Sequence, residues 1–341
     1  MTTPFTLTVC QLRLDSCFTV EGAVDRAAID ANIERTVEML RTERRQGTQQ
    51  LFLLPEFSLQ GWGPQRSVTQ WNAVAEEIPG PSIERVIAMA RELDAYVAGT
   101  VFEKLPQFPG RHFLTGFLIA PNGALLLRYR KLYAYSQKTR PGDVLDAYVR
   151  HFGRDALFPV VDTPLGRIGM AIAYDIFWPE VTRALALRGA EIVLNPFGSA
   201  RVAMQQGTAF GEVRRVRAFE NVMYIASANT GPLSAVPDGP QDRWPSEIVD
   251  FEGRVMAAST TAEQCATSAI VDIAALRAQR AKPMANWLAQ LQPQLHAPDY
   301  IDADLWSCGR WEHAPMQDGR EQLEVEAEIT ARIARGSVLR R

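Results

Sequence analysis

Short runs of uninterrupted apolar residues, separated by turn residues or amphipathic segments, recur along most of this chain and leave few architectures open to it. FTLTVCQL (Phe5 to Leu12) reads as a strand buried on both faces. From Val24 to Arg45, the residues Ile29, Ile33, Val37 and Leu40 fall on one face of a helix. QQLFLLPEF (Gln49 to Phe57) is a second buried strand, and IERVIAMARELDA (Ile83 to Ala95) is a helix leading into YVAGTVFEK. Two hairpins follow, turning at Pro121-Asn122-Gly123 and near Pro164-Leu165-Gly166. AEIVLNPF (Ala190 to Phe197) and MYIASANTG (Met223 to Gly231) flank a helix from about Thr208 to Asn221. SEIVDFEGRVMAA and TSAIVDI make a last hairpin, closing at Phe251-Glu252-Gly253. Strands alternate with helices as far as about Arg280 with no linker between them, which predicts one α/β domain with buried sheets rather than two domains.

Residues 281–341 change character: two Pro-bounded segments precede a polar helix, REQLEVEAEITARIAR, in which Leu323, Ile329 and Ile333 are loosely spaced. This tail is expected to pack on its own domain or on a partner subunit. The formal net charge of -3 and the lack of any long Lys/Arg run argue against a nucleic-acid partner, although GEVRRVRAF (Gly211 to Phe219) is locally basic. The start lacks a basic segment followed by a sustained apolar one, and no stretch approaches the ~18 apolar residues that cross a bilayer. The expectation is a cytoplasmic protein without a membrane partner. Cys10, Cys17, Cys265 and Cys308 form no C-x-x-C pattern, and His112, His151, His296 and His313 are scattered, so neither a disulfide framework nor a metal site is expected.

Three strand ends offer reactive groups. In LLPEFSLQG, Glu56 follows an apolar strand and Pro55; a carboxylate desolvated there suits a general base, whereas the bland alternative is a solvated strand-end Glu. In RYRKLY, Lys131 ends a strand, where an ammonium can stabilise an oxyanion; Arg128, Arg130 and Lys131 together also fit a solvated edge. GMAIAYDIFWPE (Gly169 to Glu180) runs from a strand through Asp175 into a helix whose first turn suits Pro179. Strand, tight turn and helix start are what a strained nucleophile position requires, yet Ala173 stands where the nucleophile belongs.

Taken in order, PEFSLQG, YRK, IGMAIAYDIFWPEVTRALALRGAEIVLNP, RAFENVMYIASANTG and SEIVDFEGR resemble the nitrilase, or carbon-nitrogen hydrolase, superfamily from the first strand to about Arg280. PEFSLQG and the tail look most like the aliphatic amidase and formamidase branch, and AYDIFWPE looks more like general amidases. The resemblance implies a four-layer αββα sandwich over residues 1–280, a homodimer or higher homo-oligomer, and hydrolysis of a small amide or nitrile without a cofactor. It implies a triad of Glu56 as base, Lys131 as oxyanion stabiliser and a cysteine nucleophile at position 173.

Ala173 has no lone pair to offer, and none of the four cysteines is a plausible substitute. Tyr174 is a poor one, with a pKa near about 10 and the opposite strand facing. A second departure is Gln137, nearest the place where many members carry another glutamate. Two readings of the chain follow: an amidase whose cysteine has been replaced by alanine in the laboratory, or a natural member that binds, scaffolds or uses Glu56 to activate water. A nitrilase proper would share the same site. Phe57, Tyr133, Tyr135, Tyr174 and Trp178 would rim the pocket if the family geometry holds; most of them also fit ordinary packing, which is the favoured reading for Trp178.

Overall fold

The computed structural model describes residues 3–63, 66–134, 138–198, 209–235 and 244–336. In chain order, β1 (Phe5–Gln11), α1 (Arg26–Glu43), β2 (Gln50–Leu53), α2 (Val68–Val74), α3 (Pro81–Leu93), β3 (Tyr96–Glu103), β4 (Phe113–Ile119) and β5 (Leu125–Arg130) make up the first half. The second half contains α4 (Leu145–Phe152), β6 (Val160–Thr163), β7 (Gly166–Met170), α5 (Pro179–Leu187), β8 (Ile192–Pro196), α6 (Ala209–Asn221) and β9 (Tyr224–Ala228). It continues through β10 (Glu247–Val249), β11 (Val255–Ala258), β12 (Cys265–Val271), α7 (Ile273–Arg280), α8 (Ala297–Asp302) and α9 (Gly319–Ala334).

The strands form two six-stranded sheets, ordered β12-β1-β2-β3-β4-β5 and β11-β10-β9-β8-β7-β6. Each has a parallel centre, β1-β2-β3 in one and β7-β8-β9 in the other, flanked by antiparallel strands. β1, β2, β3, β8 and β9 are buried along their whole length, and β7 is buried except at Arg167, which is why these strands read as continuous apolar runs rather than alternating ones. α1 buries Ile29, Ile33, Val37 and Leu40, and α3 buries Ile83, Val86, Met89 and Ala90. Both cover the first sheet, while α5 and α6 cover the second, giving an αββα sandwich. The two sheets meet closely where β4 crosses β7: a Cβ on Gly116 would lie 2.0 Å from Met170 Sδ.

Two expectations are corrected. β10 and β11 form the hairpin around Gly253, but TSAIVDI leaves that sheet and pairs antiparallel with β1 in the other. A two-residue alternation cannot tell which sheet edge a strand joins; the free edge of β1 decides it. In α9 the buried residues are Gln322 and Ile329, while Leu323 and Ile333 face solvent. The Gln322 side chain donates to the Ala134 carbonyl at 3.1 Å, so this helix is seated by a polar contact that no apolar periodicity announces.

Gly116→Ala is expected to destabilise the fold by about 1–3 kcal/mol, because Met170 has no free volume to retreat into. Urea unfolding of the variant against the parent measures this.

Candidate active site

Each sheet delivers its chemistry-bearing residues from the ends of its strands. Past β2 the chain turns at Pro55, and Glu56 is buried with only 3% of its surface exposed. Its backbone N–H donates to the Phe197 carbonyl, just beyond β8, at 3.2 Å. Lys131, the residue after β5, donates from Nζ to Glu56 Oε1 at 2.7 Å. The next residue on the first sheet's side, Phe57, has a positive φ of 68°, a conformation L side chains rarely adopt. Its N–H is held by Thr100 Oγ1 at 3.0 Å and its ring stacks on Phe102. Gly198 closes over this step: a Cβ there would lie 2.8 Å from the Phe57 ring and 3.0 Å from Glu56 Oε2.

From the second sheet, β7 ends at Met170 and the backbone reaches Ala173 at φ 45°, the left-handed region, before a 3-10 turn over Ala173–Phe177. Asn195 on β8 donates to the carbonyls of Ala171 and Ala173, at 2.6 and 3.4 Å, and so fixes the approach to this turn. The Arg217 guanidinium on α6 donates to the Ile176 and Phe177 carbonyls at its far end. Asp175 is fully buried inside the turn and accepts from the Tyr129 hydroxyl at 2.7 Å, the Tyr133 N–H at 2.8 Å and the Ile172 N–H at 3.1 Å. Burial pushes its carboxyl up to about 7, opposed by Lys131 and by these three donors. Through Asp175 the Lys131–Tyr133 segment is tied to the Ala173 turn, and through the end of β8 both are tied to Glu56.

Two features beside this centre escaped the sequence reading. Lys138 is 6% exposed, with Nζ 5.5 Å from the Phe57 ring centre and 5.9 Å from those of Trp71 and Phe102. Burial, then the like charge of Lys131, pulls its ammonium down to about 8, with Glu56 opposing. His112 lies edge-on to Phe102 and stacked on Trp71, and burial, then Lys138, pulls it down to about 3. It is therefore neutral. Its Nδ1 faces Asn72 Oδ1 at 2.8 Å, which makes Nδ1 the protonated nitrogen, and Nε2 has no hydrogen-bond partner among the described residues.

A carbon-nitrogen hydrolase family model matches residues 6–282 of this chain. The chain belongs to the carbon-nitrogen hydrolase family. Among its relatives, an omega-amidase from Bos taurus is 30% identical over 200 residues, covering 58% of this chain and 68% of that protein. A formamidase from Bacillus cereus is 27% identical over 215 residues, covering 62% of this chain and 59% of the relative. A cysteine-to-alanine mutant of the amidase from Nesterenkonia sp. AN1, solved with butyramide, shares the fold at a TM-score of 0.62 and 20% identity, over 87% of this chain and 97% of that one.

Of the residues read from the sequence of this carbon-nitrogen hydrolase, Glu56 and Lys131 meet at the strand ends with neither charged group solvated, and the Ala173 turn is joined to the Lys131–Tyr133 segment through Asp175. Arg130, grouped with a solvated edge, is instead buried in a bidentate pair with Glu103 at 2.7 and 2.9 Å. Trp178 stacks on Tyr133 with ring centres 4.0 Å apart and nearly parallel, and Tyr174 meets the edge of the same ring. Gln137 and Tyr135 lie outside the described residues. Burial pushes the Cys10 thiol up, and that of Cys17 to about 12, the opposite of a reactive thiolate. Two of the three arginines of the locally basic α6 turn into the molecule, Arg214 on Glu247 and Arg217 on the turn carbonyls, while Arg215 is exposed and pairs with Glu212. Among the described residues no group of three or more His, Cys, Asp or Glu side chains could hold a metal ion. No described helix is long and apolar enough to cross a membrane.

Two stability measurements check this geometry. Lys138 has a lower pKa folded, about 8, than its ordinary 10.5, so between these values the unfolded chain binds more protons and stability rises with pH. Lys138→Met is therefore expected to stabilise the fold at pH 7, by about 2–3 kcal/mol, with the advantage shrinking as pH approaches 10.5. Ala173→Gly should relieve the left-handed strain and raise stability by about 1 kcal/mol in the same urea titrations.

Proposed function

We propose that this carbon-nitrogen hydrolase is built to hydrolyse a small amide to a carboxylic acid and ammonia or an amine, with Ala173 in place of the cysteine nucleophile. The observation that carries the reading is the Glu56–Lys131 pair, 2.7 Å apart and almost entirely buried, kept together with a strained turn at position 173. Two buried charges and a left-handed alanine all cost stability, and a structural role explains none of the three. The names of the relatives, omega-amidase and formamidase, point to amides. The neighbour solved with butyramide supports reading an alanine form as one that holds an amide without turning it over.

In the cysteine form, Glu56 takes the thiol proton as sulfur attacks the amide carbon, and Lys131 faces the oxygen on which negative charge develops. The nitrogen leaves as ammonia or an amine after receiving that proton from Glu56. Water, deprotonated by the same carboxylate, then opens the thioester and frees the acid. Phe57, Gln137, Tyr174 and Trp178 are the proposed substrate contacts. Residues 281–341 are proposed as an extension of the domain; Tyr300 donates to Glu180 at 2.7 Å and the Gly309 N–H to the Gly142 carbonyl at 2.8 Å. Exposed Leu187 on α5 with Val216 and Phe219 on α6 supports self-association through this helical face.

Ala173→Cys is expected to release ammonia from a short amide such as butyramide, while the protein as it stands releases none. Glu56→Gln in that background should lower kcat by about 10²–10³-fold. A cysteine variant inert across a broad panel of amides and nitriles would overturn the reading. The genomic codon for residue 173 tests the replacement separately: a cysteine codon is expected, and an alanine codon means that the chain carries its alanine naturally.

A further inference from the structure

Lys138 is the buried charge that the proposed chemistry leaves unused. An ammonium this deep costs stability, and its setting is specific: three aromatic faces at 5.5 to 5.9 Å, with Lys131 and Glu56 in its electrostatic neighbourhood. Of the three rings, Phe57 belongs to the residue that follows Glu56 and holds a left-handed backbone. That ring stacks on Phe102, and any side chain at Gly198 would crowd both it and the Glu56 carboxylate. A cation seated against the Phe57 ring therefore bears on the residue whose strained backbone immediately follows Glu56.

We propose that Lys138 is a positioning residue for Glu56, its charged ammonium holding the Phe57 ring and adding a second cation to the field around the Glu56–Lys131 pair. The inference rests on the role given above to Glu56. Among the described residues, Lys131 and the neutral His112 also act on or sense Lys138; Glu103, one residue beyond Phe102, is taken up by Arg130 and Thr115. Arg140, two residues on, is paired with Asp143.

The test uses Ala173→Cys with and without Lys138→Met, and reads the rate at which residue 173 is alkylated by iodoacetamide, followed by peptide mass spectrometry. This readout reports the thiol activated by Glu56 and needs no turnover. At pH 7 the Met variant is expected to react about tenfold more slowly, although its fold is the more stable. The ratio should close to about one by pH 10, where the thiol is ionised without help from Glu56. Equal rates at pH 7, or a deficit that persists unchanged at pH 10, would overturn the proposal, the second outcome marking a merely structural lysine. A cysteine variant that turns over no amide, yet alkylates at a rate dependent on Lys138, would remove the amidase reading and leave this one standing.

Discussion

A carboxylate and an ammonium 2.7 Å apart, each more than nine-tenths buried, set the terms for the rest of this molecule. Taking both ions out of water costs several kcal/mol per ion, and their mutual attraction offsets this only with good geometry and further partners. The αββα sandwich meets that condition by bringing strand ends of two different sheets to one place. Glu56 follows β2 and Lys131 follows β5 in the first sheet, and the Phe197 carbonyl beyond β8 in the second sheet fixes the Glu56 backbone. Were the sheets to slide, Glu56 would lose the backbone bond that fixes it beneath the end of β8.

Strain sits at the same place. Phe57 and Ala173 are two of the few described non-glycine residues with positive φ, one just past β2 in the first sheet and one just past β7 in the second. Each is over-determined by neighbours: Thr100, Phe102 and Gly198 at Phe57, and Asn195, Asp175 and Arg217 around the Ala173 turn. Strain held so firmly fits a centre shaped for attack at position 173 rather than for stability. Asp175 shows the same economy, one buried carboxylate tying Tyr129, Tyr133 and Ile172 into a single unit.

Much of this was legible in the letters because the signals are local. Buried parallel strands read as apolar runs, α1 and α3 announce their faces, and Glu56, Lys131 and Ala173 each follow a strand. What was not legible depends on distant pairing. Nothing in TSAIVDI says that it joins β1 across the molecule, and nothing in RYRKLY separates the buried Arg130–Glu103 pair from a wet edge. Lys138 was missed because a lone lysine in a polar loop looks solvated; its burial comes from Phe57, Trp71 and Phe102, three rings scattered along the sequence. Its neighbour Gln137, singled out instead, lies outside the described residues.

The central claim is that the strand ends of both sheets enclose an amide site around Glu56 and Lys131, with position 173 as the point of attack. Crystals of the protein as it stands, grown with butyramide, test it most directly. The account predicts the carboxamide carbon in van der Waals contact with the Ala173 side chain, at about 3.5–4 Å, and its oxygen within hydrogen-bond reach of Lys131 Nζ. Butyramide bound elsewhere, or the Glu56–Lys131 pair closed over with no amide beside it at saturating concentration, would contradict it.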